Sequence, residues 1–361
     1  MSTNLNIGSF FGIKVKIHWT FFFLIAWIVF DELNRGGTLE SVAFNVTFVL
    51  AVFLCVVLHE FGHALTAKRF GITTKKITLL PIGGMASFDK IPESPKEELL
   101  IVVAGPLVNV AIAILLFFSV PVRELFEISF ADAYSIFTSF TLQNFLFYLF
   151  IVNVALVLFN LIPAFPMDGG RILRALLALK INRVKATQIA AGIGQFIAAI
   201  FLLVGLLYNP FLIFIALVIF LGAFGENQMV QRLDTIKGHI VEEAMLLHIT
   251  TFEPKDSLEL VTKALVSGTE TNFVVLEEGK VKGILYHKDI IENANKNKLV
   301  EAVMDTEFKT IKSTDQLQDV YELIYANKPL FLPVIDNGRL LGAIDAVNLN
   351  EFVLLQSKLV Y

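Results

Sequence analysis

Four stretches of this 361-residue chain, residues 41–59, 99–122, 133–167 and 186–225, contain no Asp, Glu, Lys or Arg. Hydrocarbon cannot satisfy backbone N–H and C=O groups, and a helix that crosses it needs about 20 apolar residues. Charge-free runs of this length point to membrane-spanning helices. The last run is cut by Tyr208-Asn209-Pro210 into two helix lengths, since proline lacks the N–H that would continue a helix. A fifth apolar stretch, Ile17 to Phe30, is short, but Lys14 and Lys16 can extend their ammonium groups toward the interface. The residues after it, Asp31-Glu32-Leu33-Asn34-Arg35, do not resemble a signal-peptidase site, so it reads as a retained helix. The expectation is a polytopic α-helical membrane domain with six transmembrane helices.

Lys and Arg in the short connections set the orientation. Placing the N-terminus in the cytoplasm puts fifteen of them on that side, among them Lys68, Arg69, Lys90, Arg171 and Arg174, and leaves only Arg35 and Arg123 outside. An even number of spans then keeps the C-terminal region cytoplasmic. Composition changes there: residues 1–230 carry a net charge of +2, and the remainder −6. No basic surface argues for nucleic acid, which is excluded as a partner class. Cys55, the single cysteine, rules out an internal disulfide and a cysteine-rich zinc module.

Near the end of the second span stands His59-Glu60-Phe61-Gly62-His63. Residues four apart share a helix face, so both imidazoles can meet one metal ion while Glu60 lies beside them. A zinc ion so held polarises a peptide carbonyl and acidifies water, with the glutamate as general base. An ionised residue at membrane depth costs about 2.5 to 3.5 kcal/mol on insertion scales, which argues for function over chance. Catalytic zinc usually takes three protein ligands, and Asp168 is the candidate for the third. It lies in Asn160-Leu-Ile-Pro-Ala-Phe-Pro-Met-Asp168-Gly-Gly, at the end of the fourth span and on the same side of the membrane as the histidines. On spacing alone, the same stretch reads equally as a polar exit turn with Asp168 capping the next helix.

His59-Glu60-x-x-His63 in a span, followed about a hundred residues later by Asn160-Leu-x-Pro-x-x-Pro-x-Asp168-Gly, resembles the site-2 protease family of intramembrane zinc metalloproteases. Pro81-Ile-Gly83-Gly84 and Ala104-Gly-Pro-Leu-Val-Asn109 are further family-like pieces, and the likeness extends over residues 11 to 230. It implies zinc held by His59, His63 and Asp168, Glu60 as base, and cleavage of a membrane-protein substrate near the cytoplasmic face. Cys55 lies about 12 Å along the helix from His63, too far to share the ion with it, and reads as a packing residue. Asn109 and Asn160 are carboxamides in apolar helices and need partners. Asn109 is assigned to helix-to-helix hydrogen bonding, with substrate positioning as the alternative, and Asn160 to the substrate carbonyl or its oxyanion. The loop from Lys76 to Phe88 is apolar, β-favouring and hinged by Gly83 and Gly84, so it could offer a strand edge to an unwound substrate. The alternative is an ordinary hairpin on the membrane surface.

After a linker at 231–238 the chain repeats itself at an offset of 59 residues. Val241-Glu-Glu-Ala-Met245 matches Val300-Glu-Ala-Val-Met304, and Gly283-Ile-Leu285 matches Gly342-Ala-Ile344. The duplicated α/β module, 239–298 and 299–361, resembles a pair of CBS domains, named for cystathionine β-synthase. That resemblance implies either an adenine nucleotide in the cleft between copies or a dimerisation and docking role that would make the chain a homodimer. The nucleotide-contacting positions correspond to Tyr286 and Asp289 in one copy and Asp345 and Asn348 in the other, and only Asp289 keeps the expected character. The reading is a membrane-embedded zinc endopeptidase with a cytoplasmic CBS pair. The rival is a CBS-gated transporter or zinc-binding scaffold, disfavoured because the ionisable residues gather at one depth.

Overall fold

The computed structural model describes residues 4–81, 83–88, 92, 94–120, 140–294, 297–326 and 331–359. Ile82, Lys90, Arg123 and the beginning of the 133–167 run lie outside the described residues. The chain divides into two compact units, 1–228 and 229–361.

The first unit opens with strands β1 (Asn4–Phe10) and β2 (Ile13–His18) and helix α1 (Phe21–Asn34). Long helix α2 (Leu39–Arg69) leads to β3 (Thr74–Leu80) and β4 (Gly83–Phe88). Helices α3 (Pro95–Ser119), α4 (Leu142–Asn160), α5 (Asp168–Ala178), α6 (Arg183–Leu207) and α7 (Phe211–Thr235) follow. Thr38 caps α2 and Thr141 caps α4, each hydroxyl accepting a backbone N–H three residues on. Among the described residues, α2, α3, α4, α6 and α7 are long and apolar enough to cross a membrane. Their outward faces expose large side chains such as Leu54, Phe118, Leu203 and Phe214, a surface that lipid would cover. The stretch expected as the first span divides instead. Its beginning pairs as β2, and α1 has 14 residues, about 21 Å of helix against roughly 30 Å of hydrocarbon.

The four strands form one sheet in the order β1-β2-β3-β4, with β2 and β3 parallel and the other pairs antiparallel. Its inner face, Ile13, Val15 and Ile77, packs on Phe61 and Ala64 of α2, which seats the sheet on the same helical turns that carry the histidines. The glycine-hinged loop is thus the β3–β4 hairpin, and β4 is an outer strand. Helix α3 packs against α2, α4 and α5. It passes close to α2 at Gly62, where a Cβ would stand 2.7 Å from the Ala104 carbonyl oxygen. Small residues at such crossings let transmembrane backbones approach closely.

The second unit shows the repeat element by element. Helix α8 (Leu258–Ser267), β6 (Phe273–Glu277), β7 (Lys280–Leu285) and α9 (His287–Asn293) recur as α10 (Leu317–Ala326), β8 (Leu332–Asp336), β9 (Arg339–Ile344) and α11 (Ala346–Leu359). Strand β5 (Thr251–Phe252) pairs with β6 in parallel, and Ile311 repeats that bridge to Val334. The two copies interleave. The leader Val241 and Ala244 packs into the core of the second copy with Leu317, Val334 and Ile344, while Val300 packs into the core of the first with Phe252, Val275 and Leu285. Val274 and Ile284 of one copy meet Phe331 and Ala343 of the other. Tightness at the exchange is explicit at Gly342, where a Cβ would lie 2.1 Å from the Leu246 carbonyl oxygen. Gly342→Ala should therefore lower the stability of this unit by about 1 to 3 kcal/mol, seen as a reduced thermal midpoint in calorimetry.

Candidate metal centre

The His-Glu-x-x-His residues fall in the C-terminal third of α2, where helical spacing stacks His59 and His63 on one face. Their rings are 4.7 Å apart at 83°, with the two Nε2 atoms 3.0 Å apart. Asp168, the first residue of α5, puts Oδ2 3.2 Å from each Nε2. The chain turns sharply to bring it there. After α4 ends at Asn160, residues 161–167 fold back through a cis Phe165–Pro166 bond, and α5 starts against them. A Cβ on Gly169 would sit 2.2 Å from the Ile162 carbonyl oxygen, and one on Gly170 2.6 Å from the Ala164 carbonyl carbon. The two glycines after Asp168 are what allow this turn to close.

Helix α3 supplies what aims the rings. The Ile101 carbonyl accepts the His63 Nδ1–H at 2.8 Å, and Asn109 Oδ1 accepts the His59 Nδ1–H at 2.5 Å. Asn109 Oδ1 is free for this because its amide group donates to Asn153 Oδ1 of α4 at 2.9 Å. Asn153 in turn donates to the Leu149 carbonyl and lies 3.5 Å from Cys55 Sγ. Both asparagines are 0% exposed, so the carboxamide pair joins three helices with no solvent contact. With each Nδ1 carrying the proton, each neutral imidazole presents an Nε2 lone pair.

Three electron-rich atoms therefore converge in a buried place. The ligand atoms of His59, His63 and Asp168 all lie within 4.8 Å of one another, and Asp168 Oδ2 has no hydrogen-bond partner among the described residues. Such atoms repel one another unless a cation stands among them, and two imidazoles with one carboxylate form a donor set suited to zinc. The space is reserved for it: a Cβ on Gly105 of α3 would fall 2.2 Å from His63 Nε2 and 2.8 Å from His59 Nε2. Cys55 is not among the three and packs one turn away.

Glu60 points beside the cluster, within electrostatic reach of His63, His59, Asp168 and Arg171. Strand β4 crosses over it, so that a Cβ on Gly84 would meet Glu60 Cγ at 2.7 Å and Oε1 at 3.0 Å. Gly83, at φ +139°, opens that strand in a conformation side-chain-bearing residues rarely adopt. The structure thus brings together His59, Glu60, His63, Asp168, Asn109 and Gly84. Asn109 takes the helix-to-helix role, with His59 as an additional partner. Asn160 donates to the Leu156 carbonyl of its own helix at 3.0 Å. Asp289 lies in the first turn of α9 in the second unit, next to Tyr286. Burial, then the carboxylates of Asp305 and Asp289, pushes the Tyr286 hydroxyl above its ordinary value. In the other copy, Asp345 Oδ1 accepts the Asn348 N–H at 2.9 Å and so serves as a helix cap.

Sequence reasoning did not single out Asn153 or the Ile101 carbonyl, and it quoted Gly105 within a family-like segment without giving it a role. Asn153 carried a signal, a carboxamide in a charge-free run, whereas the roles of the other two belong to the packing of α3. Since partners of this kind typically contribute 10- to 100-fold to metal affinity, Asn109→Ala should weaken zinc binding by about that factor. Competition with a chromogenic chelator would measure it, and Asn153→Ala should produce a smaller loss.

The peptidase family M50 model matches residues 47–205, and the CBS domain model matches 300–354. A zinc metalloprotease of Methanocaldococcus jannaschii is 34% identical over 352 residues, 97% of this chain and 96% of that protein. Stage IV sporulation protein FB of Bacillus subtilis is 30% identical over 142 residues, which span 39% of this chain and 44% of that protein. The solved site-2 protease from Methanocaldococcus jannaschii is 39% identical, with 62% of this chain and 95% of that one covered and a TM-score of 0.45. With a full-length zinc metalloprotease relative and this donor set inside apolar helices, the chain belongs to the site-2 protease family, peptidase family M50, and is an intramembrane zinc endopeptidase with a CBS module.

Proposed function

We propose that His59, His63 and Asp168 hold the zinc ion of this peptidase and that Glu60 is its general base. The observation that carries this is the convergence of two lone-pair-bearing Nε2 atoms and an unpartnered Asp168 Oδ2 in one buried place. Zinc, when bound, supplies Lewis acidity that favours ionised water and stabilises negative charge on a carbonyl oxygen. The chain's own groups do the rest. His59 and His63 keep their Nε2 atoms unprotonated because Asn109 and Ile101 claim the Nδ1 protons. Glu60 takes a proton from the attacking water and returns it to the leaving amine. The three ligand side chains are themselves buried, which keeps bulk water from them and strengthens every charge interaction inside.

The substrate problem is one of access, because a helical peptide bond is shielded by its own hydrogen bonds. Strand β4 is the last strand of the sheet, and its Gly84 backbone lies against Glu60. A membrane-protein segment that unwinds and adds to the β4 edge as an extended strand would bring a peptide carbonyl to the ion, with Gly83 and Gly84 leaving room for it. Asn160 keeps a second amide hydrogen for a substrate oxygen in this scheme.

We further read α1, with exposed Phe22, Phe23 and Trp27 along it and exposed Trp19 just before it, as the sixth element in the bilayer, supplemented by the sheet. The last turn of α2, the loop after α5, and the end of α7 with the residues just beyond it carry the basic residues Lys68, Arg69, Lys180, Arg232 and Lys237, which supports a cytoplasmic location for the CBS pair. The N-terminus, beginning the same sheet as β3, goes with them. The CBS pair serves as a regulatory or homodimerisation module, and Asp289 is its candidate contact to the ribose of an adenine nucleotide.

Glu60→Gln should reduce cleavage by at least about 10³-fold while zinc content stays stoichiometric, as expected for loss of a base but not of a ligand. Metal analysis together with the membrane proteome of cells carrying this variant would check it, through accumulation of full-length precursor. Calorimetry of the full-length protein with AMP and ATP should show binding that Asp289→Ala removes; absence of heat for both would assign the pair to assembly alone.

A further inference from the structure

Apart from the metal-ligand cluster, the first unit buries a second group of charges. Arg174 on α5 and Glu98 on α3 are each 3% exposed. Arg174 Nε donates to Glu98 Oε1 at 2.9 Å, Nη2 donates to the same oxygen, and Nη1 donates to Glu226 Oε1 on α7. Arg183 on α6 brings Nη2 within 3.3 Å of Glu98 Oε2 and donates from Nη1 to the Pro92 carbonyl. The Arg174 guanidinium lies 5.2 Å from the ring centroid of Phe165, in the turn just before Asp168.

Two cations and two anions leave no net charge, yet their desolvation offsets much of their attraction, so such a network is weak ground for stability alone. What it fixes can be followed along the helices. Helix α3 aims both imidazoles, through Ile101 and Asn109, and Glu98 stands one turn before Ile101 on that helix. Helix α5 begins with Asp168, and Arg174 lies six residues on, about 9 Å along the axis. One charge-assisted pair therefore joins the helix that orients the nitrogen donors to the helix that carries the oxygen donor. Metal coordination tolerates distance errors of only about 0.2 Å, so a slide of α5 along α3 would disengage the carboxylate.

We propose that the Arg174–Glu98 pair, braced by Glu226 and Phe165, sets the register of α5 against α3 and holds Asp168 at coordinating distance from His59 and His63. Arg174 is thus a positioning residue of the metal centre. This rests on the assignment of those three residues as ligands. The forked guanidinium matters because it reaches Glu98 and Glu226 at once, which a single ammonium in place of the fork does not.

The test uses the full-length protein in detergent, with Arg174→Lys and the triple variant Glu98→Leu/Arg174→Met/Glu226→Leu, which removes Arg174 together with its two carboxylate partners and leaves the part-exposed Arg183 to solvent. Zinc affinity from chelator competition, the visible spectrum of the Co²⁺-substituted protein and the thermal midpoint are read for each. Arg174→Lys should stay folded, bind zinc at least tenfold more weakly and shift the Co²⁺ ligand-field bands. The triple variant should keep its midpoint and show the same weakening, approaching that of Asp168→Ala. Wild-type affinity and an unchanged Co²⁺ spectrum in Arg174→Lys would overturn the proposal, as would a loss of zinc that only tracks a loss of folded protein. Arg174→Lys decides if the triple variant does not fold. A wild-type protein that binds no stoichiometric zinc would instead overturn the ligand assignment, and the positioning role with it.

Discussion

A polar group surrounded by hydrocarbon has to find its partner within the protein, and in the membrane unit that requirement is met on α3. Its Ile101 carbonyl and Asn109 side chain take the two Nδ1 protons of the histidines, and its Glu98 takes the Arg174 guanidinium. The remaining acceptor and donor capacity is passed to α4 through Asn153. None of these groups faces bulk water as an alternative, so each bond also excludes other rotamers and tautomers. The histidine pair is consequently a product of three helices, although both residues belong to one.

The backbone follows the same logic at closer range. Gly62 and Gly105 bring α2 and α3 together where the rings stand, and Gly169 and Gly170 let α5 begin directly against the turn that precedes it. In both places a methyl group would meet a backbone atom or an imidazole. The apolar helices around this region have no hydrophobic force pulling them together in lipid, so close packing and internal hydrogen bonds carry the association.

Much of this was legible from the residues. Charge-free runs located the long helices, and His-Glu-x-x-His with its distant Asp-Gly-Gly named the cluster that the fold assembles. The 59-residue repeat reappears in every paired element of the second unit. Other features were not legible, for identifiable reasons. The Ile17–Phe30 stretch is mostly apolar, and hydropathy cannot show that Ile17 would be recruited into a sheet by pairing with distant Leu79 of β3 and His18 by pairing with Asn4 of β1. Arg174 counts in the sequence only toward the positive charge on one membrane side and Glu98 not at all, because nothing local to either marks a partner 76 residues away. Asn109 was identified as needing a partner, but its partner is set by the crossing of α3 over α2.

The exchange of leader segments in the second unit has an evolutionary implication. Because Val241 completes the hydrophobic interior of one copy and Val300 that of the other, neither half is a self-sufficient building block. Deleting one repeat would strip apolar surface from both, so loss of the module through gradual shortening from the C-terminus passes through an insoluble intermediate. Its retention or removal in descendants of this gene is thereby expected as a single event encompassing both repeats.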